Sequence, residues 1–202
     1  MPSTALKRIA KRLAPRFEVH GFQPATKISF ERKMDRIVQA IEFQPGARHL
    51  SGRFTINFGW RFLLGPIVDP KTYEFWDRIG TLLGQGDLWF PEADDEKLHQ
   101  IEENVFSLVV PFLDCYRRLE DIVAAYEGGD KQGELSRSFF GLDAGWEHYN
   151  FGLACISLGR IAKGKEELEK VINDHSAAPY DWVRERRDAA NSILLSIKEP
   201  SS

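Results

Sequence analysis

Residues 27–60 read KISFERKMDRIVQAIEFQPGARHLSGRFTINFGW, and this stretch decides the fold. Polar and apolar residues alternate in three runs, 27–31, 37–44 and 54–60, which are separated by a short charged turn and by a loop containing Pro, Gly and Ser. Alternation with period two is typical of half-buried strands that place apolar side chains on one face and polar ones on the other. The stretch therefore predicts an antiparallel meander, and it carries no sign of chemistry.

Two more strands are predicted further along the chain. They cover 78–83 and 87–90, on either side of a hairpin-type turn at Gly84-Gln85-Gly86. An amphipathic helical pattern then runs from Asp94 to Tyr126, with a kink or a new helix expected at Pro111. We therefore expect an α+β domain in which a five-stranded antiparallel meander sheet has helices packed on one face.

The first residues form an amphipathic pattern with basic residues between the apolar ones. Ser3 or Thr4 is placed to cap a helix, and Pro15 and the Gly21-Phe22 turn are expected to end it. No acidic residue occurs before Glu18, which is also typical of a transit peptide. Both interpretations remain open at this stage, and packing of the helix on the sheet is the favoured one.

The polar, glycine-rich stretch 128–137 is the best linker in the chain. It divides a predicted α+β domain, 1–127, from a C-terminal appendage, 138–202, whose apolar spacing is helical throughout. The predicted fold thus ends in a small all-helical segment.

Several segments occur in an order that resembles a known family. They are Gly21-Phe22, Phe30, Ile41-Glu42-Phe43-Gln44, Phe54-Thr55-Ile56-Asn57-Phe58-Gly59, Arg78-Ile79-Gly80, Leu88-Trp89-Phe90 and Pro111-Phe112-Leu113. This succession resembles the bacterial domain of unknown function family 4304 over residues 5–125. The resemblance implies a structural framework, because the family brings no established activity or catalytic residues. Pro45 after Gln44 departs from the usual pattern, since proline limits further strand pairing.

A second resemblance concerns residues 146–175. The spacing of Tyr149, Leu153, Leu168 and Val171, with glycines at 152 and 164, is similar to one tetratricopeptide helical hairpin. Small residues at these two positions would let the helices approach closely. Only one such unit is visible, and repeats of this kind normally need about three to bury a continuous core.

Charge is unevenly distributed although the formal net charge is only −3. Residues 1–36 hold nine Lys/Arg and three Asp/Glu, a difference of +6, whereas residues 91–134 hold four and twelve, a difference of −8. Two solvated helix faces of different sign would explain this, and so would a dipolar surface that steers a charged partner. The net charge gives no overall case for nucleic acid binding, and no apolar run approaches the length of a membrane helix.

Catalytic and metal-binding signatures are missing from the sequence. The five histidines and two cysteines have no metal-ligand spacing, and no nucleophile elbow or phosphate-binding loop occurs. We therefore predict no cofactor, no metal and no catalytic residue. Cys115 and Cys155 fall in apolar helical runs and fit a reducing compartment, so a cytoplasmic location is expected.

The polar positions of the central strands are the candidate site. If Phe54, Ile56 and Phe58 face the core, then Arg53, Thr55 and Asn57 share the opposite face, near Gln39 or Gln44. This face is either a solvated sheet surface or a concave surface for a partner or ligand, with Trp60 and Trp89 as aromatic anchors. The sequence predicts a non-catalytic interaction module of the bacterial immunity or adaptor kind that binds a protein. The alternative is an enzyme or small-ligand binder that uses this face.

Overall fold

The structure is a computed structural model that describes residues 3–65, 73–92, 95–128, 139–141, 144–173 and 181–197. The chain divides into two compact units, which are treated separately below. Unit 1 comprises Met1–Arg61 and Trp76–Arg118, and unit 2 comprises Phe62–Phe75 and Leu119–Ser202.

The described residues form an antiparallel sheet and a set of helices. The strands are β1 Gln23–Pro24, β2 Ser29–Lys33, β3 Ile37–Pro45, β4 Arg53–Phe62, β5 Phe75–Arg78 and β6 Phe90–Pro91. The α-helices are α1 Thr4–Val19, α2 Ile79–Leu82, α3 Asp95–Asn104, α4 Val110–Asp114, α5 Leu119–Gly128, α6 Ala144–Ser157, α7 Ile161–Asn173 and α8 Asp181–Ser196. A 3-10 turn covers Arg48–Leu50, and a π-helical segment, Val105–Val109, joins α3 to α4.

The sheet confirms the predicted fold class. Its strands follow the order β1-β2-β3-β4-β5, and β6 pairs with the start of β4. In the β2–β3 pair, Phe30 is opposite Ile41 and Arg32 is opposite Gln39. The three central strands thus lie within two residues of the three predicted alternating runs, because period-two alternation reports directly on strand faces.

The predicted hairpin at 78–90 is wrong. Chain segment 75–78 is a strand, but Ile79–Leu82 turns into a short helix and only Phe90–Pro91 pairs again. The Asp77 carboxylate accepts hydrogen bonds from the Arg78 amide at 2.6 Å and from the Thr81 hydroxyl at 2.7 Å, which stabilises the turn. The Gly86 carbonyl oxygen lies 1.9 Å from where a Cβ of Gly80 would be, so only glycine allows the loop to close in this way.

Helix α1 is longer than predicted. Ser3 caps it by accepting a hydrogen bond from the Leu6 amide at 3.0 Å, as expected. The helix continues through Pro15 to Val19, which corrects the predicted end at the proline. Pro15 is on the exposed face, so water can satisfy the backbone carbonyl that it leaves without a partner.

The helices after β6 also differ from the predicted continuous pattern. Pro111 lies in the first turn of α4, which confirms one of the two alternatives for this position. Helix α4 then ends at Asp114, and α5 begins only at Leu119, where the sequence predicted that one apolar face would continue. The π-helical segment keeps Val105, Phe106 and Val109 buried just before this break.

One face of the sheet is rich in aromatic side chains, and we call it the aromatic face. Phe17 of α1 stacks on Phe30 with ring centroids 4.3 Å apart, and Phe43 is 6.3 Å from both rings. Phe58 of β4 is 5.3 Å from Phe112 of α4 in an edge-on arrangement. Helices α1 and α4 therefore cover this face and form the core of unit 1.

In unit 2, helices α6 and α7 pack against each other through the two glycines at 152 and 164. The carbonyl oxygen of Gly164 lies 3.2 Å from an ideal Cβ on Gly152, and the reciprocal distance is 2.8 Å. The two glycines therefore bring α6 and α7 into backbone contact, as expected. Gly159 has φ +77 and ends α6 with hydrogen bonds from Gly159 N to Ile156 O and from Arg160 N to Cys155 O, at 2.9 and 2.8 Å.

Two side-chain clusters hold unit 2 together. The larger one lies among α6, α7 and α8, and its buried members are Tyr149, Leu153, Leu168, Val171 and Ala190. The second is aromatic, with Phe140 at 5.1 Å from both Phe62 and Tyr126 and at 5.2 Å from Phe151.

The predicted domain boundary differs from the division into units. Residues 62–75 and helix α5 both belong to unit 2, whereas the sequence placed them in a domain covering 1–127. Apart from Gly128, the predicted linker 128–137 lies outside the described residues.

Candidate functional site

The face of the sheet opposite the aromatic face carries the predicted site residues, and we call it the polar face. The Asn57 amide donates a hydrogen bond to Oε1 of Gln44 at 2.7 Å, so the two predicted neighbours are brought together across β3 and β4. Thr55 is fully buried and Asn57 is only 2% exposed. The expected solvent-exposed surface is therefore absent at these two positions, although the predicted alternation with Phe54, Ile56 and Phe58 holds.

On the polar face, two buried side-chain atoms have no hydrogen-bond partner in the part of the chain that the structure describes. They are Oγ1 of Thr55 and Oδ1 of Asn57, which lie on one strand face two residues apart. Glu42 is on the same face, since it pairs with Ser29, and burial raises the pKa of its carboxyl group. The polar face thus carries a partly buried carboxyl group with a raised pKa and two buried atoms that have no hydrogen-bond partner among the described residues.

An ion pair crosses the polar face from β2 to β4. The Arg61 guanidinium donates to both carboxylate oxygens of Glu31, at 2.9 and 3.1 Å. The strand between them presents Ala40 opposite Glu31, and this small side chain leaves room for the bridge. Bidentate pairs of this kind are the strong, geometrically specific ones.

The other predicted site residues lie elsewhere. Arg53 is exposed at the start of β4. Trp60 is fully buried on the aromatic face, where it stacks on Phe112 at 6.3 Å and packs against Tyr116 at 5.4 Å, so it is a core residue and not an exposed anchor. Trp89 is partly buried, and the Arg78 guanidinium lies 5.2 Å from its ring centroid.

A buried polar pair on the aromatic face was not predicted. Gln39 accepts a hydrogen bond from Nε of Arg32 at 2.6 Å and donates to the carbonyls of Leu113 and Tyr116 at 2.7 and 2.8 Å. Arg32 also bonds to Asp114 at 2.7 Å. Gln39 has the same parity as Ile41 and Phe43, so strict alternation would have placed it on the aromatic face and not near Asn57. Its role is structural, because it satisfies carbonyls at the end of α4.

The outer face of α1 carries basic residues in two different states. Arg12 and Arg16 both reach Glu102 of α3, at 3.7 and 2.8 Å. Arg8 and Lys11 are exposed, and no described residue forms an ion pair with either. The basic surface predicted from the charge distribution is therefore partly neutralised by the acidic segment, and its remainder is presented to solvent.

A charged cluster in unit 2 joins α6 to α7. The buried carboxylate of Glu167 contacts Nδ1 of His148 at 2.7 Å and the ammonium groups of Lys163 and Lys170 at 2.9 and 2.8 Å. Burial on its own would raise the pKa of Glu167, but the bonds from Lys170, Lys163 and His148 outweigh it and lower that pKa to about 2. This cluster fixes the hairpin and gives His148 a packing role.

Comparisons of the chain with family models, curated proteins and solved structures found no match. Within the described residues, no three His, Cys, Asp or Glu side chains are grouped so that they could hold a metal ion. None of the described helices combines the length and the apolar character needed to cross a lipid bilayer.

Proposed function

We propose that the protein is a non-catalytic module of the bacterial immunity or adaptor kind that binds another protein in the cytoplasm. The observation that supports this most is the state of the α1 surface. Leu6, Ile9, Leu13 and Phe17 anchor the inner side of the helix in the core. Its outer side keeps Arg8 and Lys11 free of ion pairs among the described residues. The anchored helix needs no ordering of its backbone on binding, so only the side chains of these residues lose freedom, and their charge favours association with a partner of opposite charge.

The resemblances support the same class of function. A match to the bacterial domain of unknown function family 4304 would supply a framework without catalytic residues, and a tetratricopeptide-like hairpin would supply a packing unit common in adaptors. Neither resemblance carries an activity to this chain.

Affinity capture with the full chain as bait, from a lysate of the native host, tests the proposal. We expect one protein to be enriched over a bait-free control and to re-bind when purified. Its association rate should fall between low and high salt, about 0.05 and 0.5 M, because exposed charges are screened over roughly 10 Å at 0.1 M. A bait that enriches no protein, or an association rate independent of salt, would contradict the electrostatic proposal.

A second candidate function is binding of a small polar ligand on the polar face. It is favoured by the unpartnered buried atoms of Thr55 and Asn57, since such groups in native proteins need an explanation. A ligand with both donor and acceptor groups would satisfy them beside Glu42. Native mass spectrometry of gently purified protein tests this: a bound small molecule present in the wild type and absent from Thr55→Val would favour it, and unliganded protein in both would exclude it.

A further inference from the structure

The unpaired basic residues of α1 form a short stripe. Arg8 and Lys11 are exposed, and Lys7 lies beside them, partly exposed and also without an ion-pair partner among the described residues. At a rise of about 1.5 Å per residue, the stripe from Lys7 to Lys11 is only about 6 Å long. It therefore matches a few charges on a partner, and not an extended polyanion.

Negative charge borders this stripe. Glu102 is held between Arg12 and Arg16, and the next residue, Glu103, keeps 65% of its side chain exposed beside His99. Both acidic residues belong to α3 in the same unit as α1. Because Glu102 is already paired with two arginines, the repulsion that a ligand extending from α1 towards α3 would meet comes from the exposed Glu103.

The number of basic residues distinguishes between the classes of anionic partner. Proteins that bind duplex DNA through phosphates commonly make about 6 to 10 such contacts, and lipid-binding basic clusters hold about 4 to 8 Lys/Arg. The stripe offers three cations, and Arg12 and Arg16 add one net positive charge because they share the single carboxylate of Glu102. The total of four is below the DNA range and at the lower end of the lipid range. A short acidic segment of a protein needs only two or three carboxylates to match it.

We propose that the outer face of α1, formed by Lys7, Arg8 and Lys11, docks an acidic segment of a protein partner. This rests on the proposed function as a protein-binding module and adds the surface and the chemistry of the partner. The anchored backbone of α1 fixes the spacing of the three basic residues. Negative charge on Glu103 of α3 limits the length of the acidic segment that can bind.

Fluorescence anisotropy with a labelled oligoglutamate peptide, using the full chain, tests the surface. The variant Arg8→Glu/Lys11→Glu reverses the stripe, and Lys27→Glu/Lys33→Glu makes the same change of net charge at two other exposed positions without described ion pairs. We expect the wild type and the control to bind the peptide and the α1 variant to bind at least about tenfold more weakly, since each close charge pair is worth about 1 kcal/mol in water and 1.4 kcal/mol is tenfold. Equal weakening in both variants would overturn the proposal.

Two further arms decide between occupants. Duplex DNA and vesicles containing anionic lipid are measured with the same proteins, and binding of either more tightly than the peptide would overturn the acidic-protein assignment. Sedimentation of the wild type and the α1 variant tests a second copy as the occupant, and a dimer lost in the variant would replace the proposed partner. Circular dichroism should be unchanged, because both substituted α1 positions are exposed. If a protein captured from the lysate still binds the α1 variant, the module function survives and the α1 surface is wrong.

Discussion

The sheet buries polar side chains on both faces, and these side chains differ in how fully they are hydrogen-bonded. On the aromatic face, Gln39 uses both ends of its amide, and Arg32 bonds to Gln39, Asp114 and the carbonyl of His20. Nη2 of Arg32 has no hydrogen-bond partner among the described residues, but the guanidinium lies 4.4 Å from the centroid of the Phe22 ring. On the polar face, Thr55 and Asn57 each keep a buried atom without a partner. A hydrogen bond between buried groups contributes about 1 kcal/mol, whereas a buried group left unsatisfied costs about 1 to 3 kcal/mol. The hydrogen bonds of Gln39 and Arg32 therefore stabilise the fold, whereas the unsatisfied atoms of Thr55 and Asn57 lower its stability.

The largest effect is expected on the aromatic face. Gln39→Leu removes three buried hydrogen bonds, to Nε of Arg32 and to the carbonyls of Leu113 and Tyr116, so we expect the free energy of unfolding to fall by about 3 to 5 kcal/mol. Urea denaturation measures it. Phe58→Ala provides the scale, since truncating a buried aromatic residue costs about 3 to 5 kcal/mol. If the free energy of unfolding of Gln39→Leu falls by less than about 1 kcal/mol, the hydrogen bonds of Gln39 contribute no more than the polar groups of the other face, and the contrast is wrong.

Asn57→Ala should have a smaller effect. It removes one hydrogen bond to Gln44 but also removes the unpartnered Oδ1, so we expect a loss of about 1 kcal/mol in a thermal or urea melt. Arg53→Ala on the same strand is the control and should change stability by less than about 0.5 kcal/mol, because it is exposed. If Asn57→Ala destabilises as much as Phe58→Ala, then Oδ1 has a partner in solution and the contrast between the faces disappears.

Thr55→Val should be neutral or stabilising. The shapes are nearly the same, and the substitution replaces an unsatisfied buried hydroxyl with a methyl group, so a gain of up to about 1 kcal/mol is expected. The measurement is the midpoint of urea unfolding at an unchanged m-value. A clear destabilisation would mean that the Thr55 hydroxyl is hydrogen-bonded in the native protein.

The smallest effect concerns Glu42. Burial raises the pKa of this carboxyl group in the folded state, so its contribution to stability is fully present below the unfolded pKa, about 4.3, and is lost as the pH rises through the folded pKa. Relative to Glu42→Gln, the wild type should therefore lose stability as the pH rises above the unfolded pKa towards the raised folded pKa. Urea melts across this range measure the difference. A pH-independent difference would show that Glu42 is as well hydrated in the native state as in the unfolded chain.

Most of the sheet was predictable because strand alternation is a local signal. The predicted runs 27–31, 37–44 and 54–60 correspond to Ser29–Lys33, Ile37–Pro45 and Arg53–Phe62. The hairpin at 78–90 was missed because the Asp77 carboxylate and the close approach of Gly80 to Gly86 favour a helical turn. The division into units depends on contacts between residues far apart in the chain, such as Phe62 with Phe140 and Phe75 with Phe139, and periodicity carries no information about such contacts.

The candidate site was predicted in part. Alternation correctly placed Thr55 and Asn57 opposite Phe58, and the neighbouring strand supplied Gln44. The same alternation gives Trp60 the parity of Phe58, so its place in the core could have been predicted. Burial of the polar face could not be predicted, because the same alternating pattern occurs in strands with a solvated polar face and in strands whose polar face is buried.

The bridge from Glu31 to Arg61 has a consequence for strand pairing. Its two ends are on β2 and β4, which are not neighbours in the sheet, and it passes over Ala40 of the intervening β3. Moving β3 by one residue would place Gln39 or Ile41 in the position of Ala40 opposite Glu31 and send its apolar side chains to the wrong face. The Glu31–Arg61 ion pair can form only when β2, β3 and β4 are in register with one another. It therefore stabilises the correct register of β3, although neither of its residues belongs to that strand. A bulky side chain at position 40 would break the ion pair between Glu31 and Arg61 and leave the backbone pairing of the individual strands intact.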